Sequence, residues 1–125
     1  MSKIKLVRSF TGYTYIEGDR VSITKILTYL KEVYGRNTSD INDALRILNN
    51  FNLFYDMMKR KFKDFISPTK DEGDLLKGLV VVDKIKLFKK DGVESVQLVF
   101  DKRIGLDFIS KILKELQLDF ELVEG

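Results

Sequence analysis

Ile41, Leu48, Tyr55 and Phe62 stand seven residues apart, and Ala44, Phe51, Met58 and Phe65 repeat that interval three residues further on. These eight apolar positions fit the a/d seam of a helix that stays buried along one side. No proline or glycine interrupts residues 39–66. A continuous helix over that range would be roughly 42 Å long at about 1.5 Å per residue, longer than a globule of this size is wide. The pattern therefore predicts a spine that spans the domain, or a rod that projects and finds a partner. One stretch opposes continuity. Asn49, Asn50 and Asn52 surround Phe51, and asparagine side chains compete for backbone hydrogen bonds inside a helix. The apolar phase survives across them, which favours one helix over two.

The elements on either side of this helix are short. Residues 3–10 and 13–21 read as two strands, with Thr11-Gly12 as the turn and Gly18-Asp19 as a second bend. A three-residue loop would put Ile4, Leu6 and Ile16 on one face. Ser22 is the expected N-cap of a helix with Ile23, Ile26, Leu27, Leu30 and Val33 inward, ended by Gly35. The long helix starts near Asn37-Thr38-Ser39. Asp40 and Asp43 in its first turns and Lys59, Arg60, Lys61 and Lys63 near its end complement the macrodipole. Ser67-Pro68 stops it, and residues 67–77 form a polar loop or hinge inside a single domain covering residues 1–125.

Asp91-Gly92 is a strong two-residue hairpin signal. Pairing centred there sets Leu87 against Val96, Ile85 against Leu98, Asp83 against Phe100 and Lys89 against Glu94. The opposite face of this hairpin carries Lys84, Lys86, Phe88 and Lys90. A helix over 107–117, with Ile109, Ile112, Leu113 and Leu116 inward, and a strand over 119–123 complete the chain. Two segments echo. Lys3-Ile4-Lys5-Leu6 recurs as Lys84-Ile85-Lys86-Leu87, and Ile23-Thr24-Lys25-Ile26-Leu27 as Ile109-Ser110-Lys111-Ile112-Leu113. Amphipathic patterns of low complexity also recur by chance, so the echo alone does not establish duplication. The expected architecture is α+β: an antiparallel sheet from two β-hairpins, packed on a long central helix and two shorter helices.

Composition narrows the chemistry. The 125 residues are 44% hydrophobic and 33% charged, enough for a core and too apolar for disorder. Histidine and cysteine are absent, which removes Ser-His and Cys-His nucleophile pairs, zinc sites of the usual kind and disulfides. No Gly-rich phosphate loop occurs. Asp71, Glu72 and Asp74 are too ordinary an acidic loop to mark a metal site. Asp74, Asp83 and Lys86 miss the nuclease arrangement, because Asp83 stands three residues before Lys86 on a strand and points to the other face. The expectation is therefore a non-enzymatic protein with no cofactor, metal or evident small-molecule substrate. The N-terminus lacks an apolar signal segment and no run is long enough for a membrane span, so a cytoplasmic location is expected.

Net charge is +3, yet residues 1–36 hold seven basic and three acidic side chains. Cations interleaved with aromatics suit nucleic acid, because bases stack on rings while phosphates meet cations. The candidate contacts are Lys3, Lys5, Arg8, Tyr13, Tyr15 and Arg20 on the first hairpin, and Lys84, Lys86 and Lys90 on the second. A rival reading is a protein-interaction module, an inhibitor or adaptor, working through Leu48, Phe51, Tyr55, Met58 and Phe62. The apolar surplus around that helix, at Leu45, Ile47, Leu53, Phe54 and Met57, would be covered in part by a second copy in a twofold homodimer. A break at Asn49–Asn52 would instead give the order strand, three helices, β-hairpin, similar to winged-helix DNA-binding domains, with 54–65 as recognition helix and 84–100 as wing. That match is one of element order, and Ala44 falls out of the phase a helix-turn-helix requires.

Overall fold

The computed structural model describes residues 3–35, 39–73, 78 and 80–124. Asn37-Thr38, the expected lead-in to the second helix, and residues 74–77 of the polar loop lie outside them. In chain order the elements are β1 (Ile4–Arg8), β2 (Thr14–Asp19), α1 (Arg20–Tyr34), α2 (Ser39–Asn49), α3 (Phe51–Arg60), β3 (Val82–Lys90), β4 (Val93–Phe100), α4 (Leu106–Glu115) and β5 (Phe120–Glu124). The strands form one sheet in the order β3-β4-β2-β1-β5. The α+β class holds, but the sheet is mixed rather than purely antiparallel, because β5 runs parallel to β1. The cause is the connection. Helix α4 carries the chain from β4 past β2 and β1 to the far edge, and β4 already runs in the direction of β1. A crossover of this kind returns a strand in the direction in which it left.

The expected single long helix is two helices. Asn50 separates α2 from α3 with φ −119° and ψ 42°, outside helical geometry. Its side-chain Nδ2 donates to the Arg46 carbonyl at 2.8 Å, the competition that disfavours asparagine inside helices. Burial nevertheless continues through the break, with Leu48, Phe51 and Met58 all in the core. The heptad spacing reported a buried side, not an unbroken rod. Helix α3 also stops at Arg60, well short of residue 66. Ile66 is instead extended and exchanges backbone hydrogen bonds with Ile85 at 2.7 and 2.8 Å, adding a bridge to the outer edge of β3.

The first hairpin adopts the three-residue loop. Ser9 N–H donates to the Tyr13 carbonyl at 2.9 Å, and Leu6 pairs with Ile16. Gly18-Asp19 is not a bend but the end of β2. Gly18 faces inward, and a Cβ there would lie 2.5 Å from Ile4 Cδ1. In the second hairpin, Asp91 (φ 52°) and Gly92 (φ 78°) form the left-handed pair of a type I′ turn. Leu87–Val96 and Ile85–Leu98 pair as expected. Phe100, however, opposes Val82 rather than Asp83, because a bulge intervenes between Val82 and Lys84. The bulge keeps the fully buried Val82 inward and spares a carboxylate that position. Lys70 Nζ donates to the Asp83 carbonyl there, at 3.0 Å.

Helix α1 is capped by Asp19, not Ser22: the Asp19 carboxylate accepts the Ser22 N–H at 3.0 Å. Gly35 closes it in the left-handed conformation. Two hydrogen bonds hold the polar segment after Pro68 to α2 where it is described. Thr69 N–H donates to Asp43 Oδ2 at 2.6 Å and Asp71 N–H to Ser39 Oγ at 2.7 Å. Partial burial pushes the Asp43 carboxyl up. The Thr69 hydrogen bond and the bonds and charge of Arg46 outweigh it and hold the group below its ordinary value.

Helices α1 to α4 each contribute to one core on one side of the sheet, against Ile4, Leu6, Ile16, Ile85, Leu87, Val96, Leu98 and Phe100. Tyr29 on α1 donates to the Glu115 carboxylate on α4. Antiparallel pairing of β2 with β4 about Glu17–Gln97 puts a local twofold at the sheet centre. It relates Ile4 to Ile85 and Leu6 to Leu87, so the repeated Lys-Ile-Lys-Leu segments occupy equivalent places on β1 and β3.

Candidate nucleic-acid interface

Side chains alternate across a strand, so the register fixes what the other face of the sheet carries. One outward row reads Glu121, Lys5, Glu17, Gln97, Lys86 from β5 to β3. The next reads Val123, Val7, Tyr15, Val99, Lys84. A third holds Asp19, Ser95 and Phe88. Lys3, Tyr13 and Lys90 continue the same alternation at the strand ends. None of these residues belongs to the helix-covered core. Among the described residues the helices thus pack on the other face, although Val7, Val99 and Ser95 on this one are themselves buried.

The structure therefore brings Lys3, Lys5, Tyr13, Tyr15, Lys84, Lys86 and Lys90 to one face. Arg8 and Arg20 do not join them. Arg8 falls in the phase of the inward residues Ile4 and Leu6, at the exposed end of β1. Arg20 opens α1, and its Nε donates to Glu94 at 2.7 Å. A cavity of about 230 Å³ is lined by Lys3, Lys5, Phe88 and Lys90 together with the three acidic residues Glu17, Asp19 and Asp91.

Charge on this face is uneven in a way the N-terminal surplus does not suggest. Lys5 lies between Glu17 and Glu121 in the sheet, with Nζ 3.9 Å from the Glu17 carboxylate. Its twofold counterpart Lys86 has neutral Gln97 as its neighbour. Lys84 sits over the Phe65 ring, 4.3 Å from its centroid. Lys59 and Lys89 approach the Tyr55 ring at 4.8 and 5.0 Å. The positive side is therefore the β3 margin, extended by the end of α3. Phe88 stood out beside the lysines of β3 in sequence. The link to Lys59 and Lys63 did not, since it depends on α3 ending beside β3.

The apolar stripe offered for a partner is mostly used within the chain. Leu48, Phe51 and Met58 are buried, and Tyr55 is half-buried and stacks on Phe51 with centroids 5.6 Å apart. Phe62, outside the helix, is 95% exposed. Among the described residues no group of His, Cys, Asp or Glu is arranged to hold a metal ion, and no helix is long and apolar enough to cross a membrane.

No protein-family model matches the chain, nor does any curated protein or solved structure compared with it. The break at Asn50 places three helices ahead of the β3–β4 hairpin, but two paired strands precede them and both hairpins join one five-stranded sheet, so the strand, three-helix, hairpin order is not reproduced.

Proposed function

We propose that the chain is a small non-enzymatic nucleic-acid-binding protein that uses the open sheet face, with the β3 margin as its main contact. The observation that carries this reading is the outward register of Tyr15, Phe88, Lys84, Lys86 and Lys90 on the face that no described helix covers. Rings on a flat sheet accept unstacked bases, and lysines on both sides of them meet phosphates. β1 and β3 lie three strand spacings apart, about 14 Å, so the lysines at the two flanks leave room for a strand to cross Tyr15.

Fluorescence anisotropy of a labelled single-stranded oligonucleotide tests it. Binding weakens steeply with salt, with a log–log slope of roughly −0.7 per phosphate contacted. No binding at about 50 mM salt, a condition under which phosphate contacts are strong, removes the reading.

A protein partner is the second reading, favoured by one observation. Among the described residues nothing pairs with the outer edge of β5, where Leu122 is exposed. An extended peptide could add there as a further strand. Its binding would tolerate salt that abolishes nucleic-acid binding.

A further inference from the structure

Helix α3 ends in a Schellman motif. Phe62 N–H donates to the Lys59 carbonyl at 3.3 Å and Lys63 N–H to the Met58 carbonyl at 3.0 Å. The motif needs a left-handed residue at its turn, a place glycine fills without strain, as Gly35 does at the end of α1. Here the residue is Phe62, at φ 53°. A bulky side chain is unfavourable in that conformation. The ring gains no burial in return, being 95% exposed. Helix α4 ends in the same motif on a left-handed Gln117, at φ 56°, a polar residue; what sets Phe62 apart is a bulky apolar ring at such a turn. A backbone held against its preference, presenting a large apolar ring to solvent, points to a use for the ring outside the fold.

Its surroundings say what kind of ligand. Phe62 lines a cavity of about 390 Å³ with Tyr55, Met58 and Phe88, in the size range of small-ligand clefts. Lys59, Lys63 and Lys86 also line it, against the single carboxylate of Asp64. Aromatic walls bordered by three cations complement a base and its phosphates. Lys86 and Phe88 belong at the same time to the open sheet face, so the cleft continues that face around the edge of β3.

We infer that Phe62 is a stacking platform for a base of a single-stranded nucleic acid, with Lys59, Lys63 and Lys86 holding the adjoining phosphates. The inference rests on the reading of the sheet face given above and adds a subsite to it. Phe62→Gly separates a binding role from a structural one. It relieves the left-handed strain, so the melting temperature is unchanged or raised. At the same time the affinity for a short oligonucleotide falls about tenfold, the scale of one lost base–aromatic stack. The oligonucleotide is offered as DNA and as RNA of one sequence, and the tighter binder identifies the sugar. A 2-aminopurine base within it is quenched by the parent protein and less so by Phe62→Gly, while Phe62→Trp retains both affinity and quenching. If the parent binds and Phe62→Gly binds equally well, the subsite is wrong and the sheet-face reading stands. If the parent does not bind, both fall. A lowered melting temperature for Phe62→Gly marks the ring as a packing group and also overturns the assignment.

Discussion

Asp40 ties the start of α2 to the start of β3 through Val82. Its Oδ2 accepts the Val82 N–H at 2.6 Å and the neighbouring Val81 N–H at 2.6 Å. The residue is fully buried, and Oδ1 has no hydrogen-bond partner among the described residues. One carboxylate oxygen thus satisfies two backbone donors at the point where the chain enters β3. A hydrogen bond contributes about 0.5–1.5 kcal/mol net, and a donor left buried without a partner costs about 1–3 kcal/mol. Asp40→Ala is expected to lower unfolding free energy by about 3–5 kcal/mol, a large part of the ~5–15 kcal/mol typical of a domain. Asp40→Asn keeps one acceptor oxygen and should cost less. Urea denaturation checks both, and equal losses would mean that the two N–H bonds are not what the carboxylate contributes.

Gly18 has no room for a side chain. Its missing Cβ would come within 2.5 Å of Ile4 Cδ1 and 3.6 Å of Ile23 Cδ1, both in the core. Gly18→Ala therefore forces Ile4 from its place and should destabilise by about 1–3 kcal/mol, the scale of overpacking in a filled core. Ile4→Val removes the offending methyl. In the double variant the two costs should fall short of their sum, giving a coupling energy of roughly 0.5 kcal/mol or more. Strict additivity would show that the clash is relieved elsewhere.

These two sites mark the boundary of what could be read from residues alone. Asp91-Gly92 announced its own turn and, with it, the pairing of Leu87 and Ile85, because turn chemistry and alternation agreed there. The bulge at Asp83 was not legible. Pairing counted outward from the turn assumes an even ladder, and it was burial of Val82 against Phe100 that broke it. Asp40 read as a helix-dipole residue because its partners lie some forty positions away in the sequence. The stripe from Ile41 to Phe65 was right about burial as far as Met58, but wrong about continuity and about Phe62, since two helices meeting at Asn50 satisfy the same spacing and α3 ends at Arg60, leaving Phe62 exposed. The parallel placement of β5 left no mark in Phe120–Glu124, because the path of α4 decides it. The outward lysines followed from alternation, but the neutralising position of Glu17 and Glu121 around Lys5 required the register of three strands at once.

The anchoring of the polar segment gives a pH signature. Asp43 accepts from Thr69 N–H and pairs with Arg46, and its carboxyl is held below its ordinary value of 3.8. A group with a depressed folded-state pKa contributes stability above its unfolded value and loses it as pH falls through the folded one. The wild-type protein should therefore melt higher than Asp43→Asn at neutral pH. That gap should narrow as pH drops below about 4, the ordinary carboxylate value. Melting curves at a series of pH values test it, and a gap that stays constant down to strong acid would show that the charge on Asp43 contributes nothing.

Lys5 and Lys86 occupy equivalent positions about the local twofold, both in the outward row that contains Glu17 and Gln97. Reversing either changes the net charge of the protein by the same amount, so a difference between them reports location and not bulk charge. Lys5 is already flanked by Glu17 and Glu121, whereas Lys86 adjoins Gln97 and the cleft bordered by Lys59 and Lys63. Lys86→Glu should weaken single-strand binding about tenfold and flatten the salt slope by roughly 0.7, the loss of one phosphate contact. Lys5→Glu should do markedly less. Anisotropy titrations at several salt concentrations separate the two variants. Equal losses would mean that nucleic acid responds to net charge alone, and the assignment of the β3 margin as the contact surface would fall with that result.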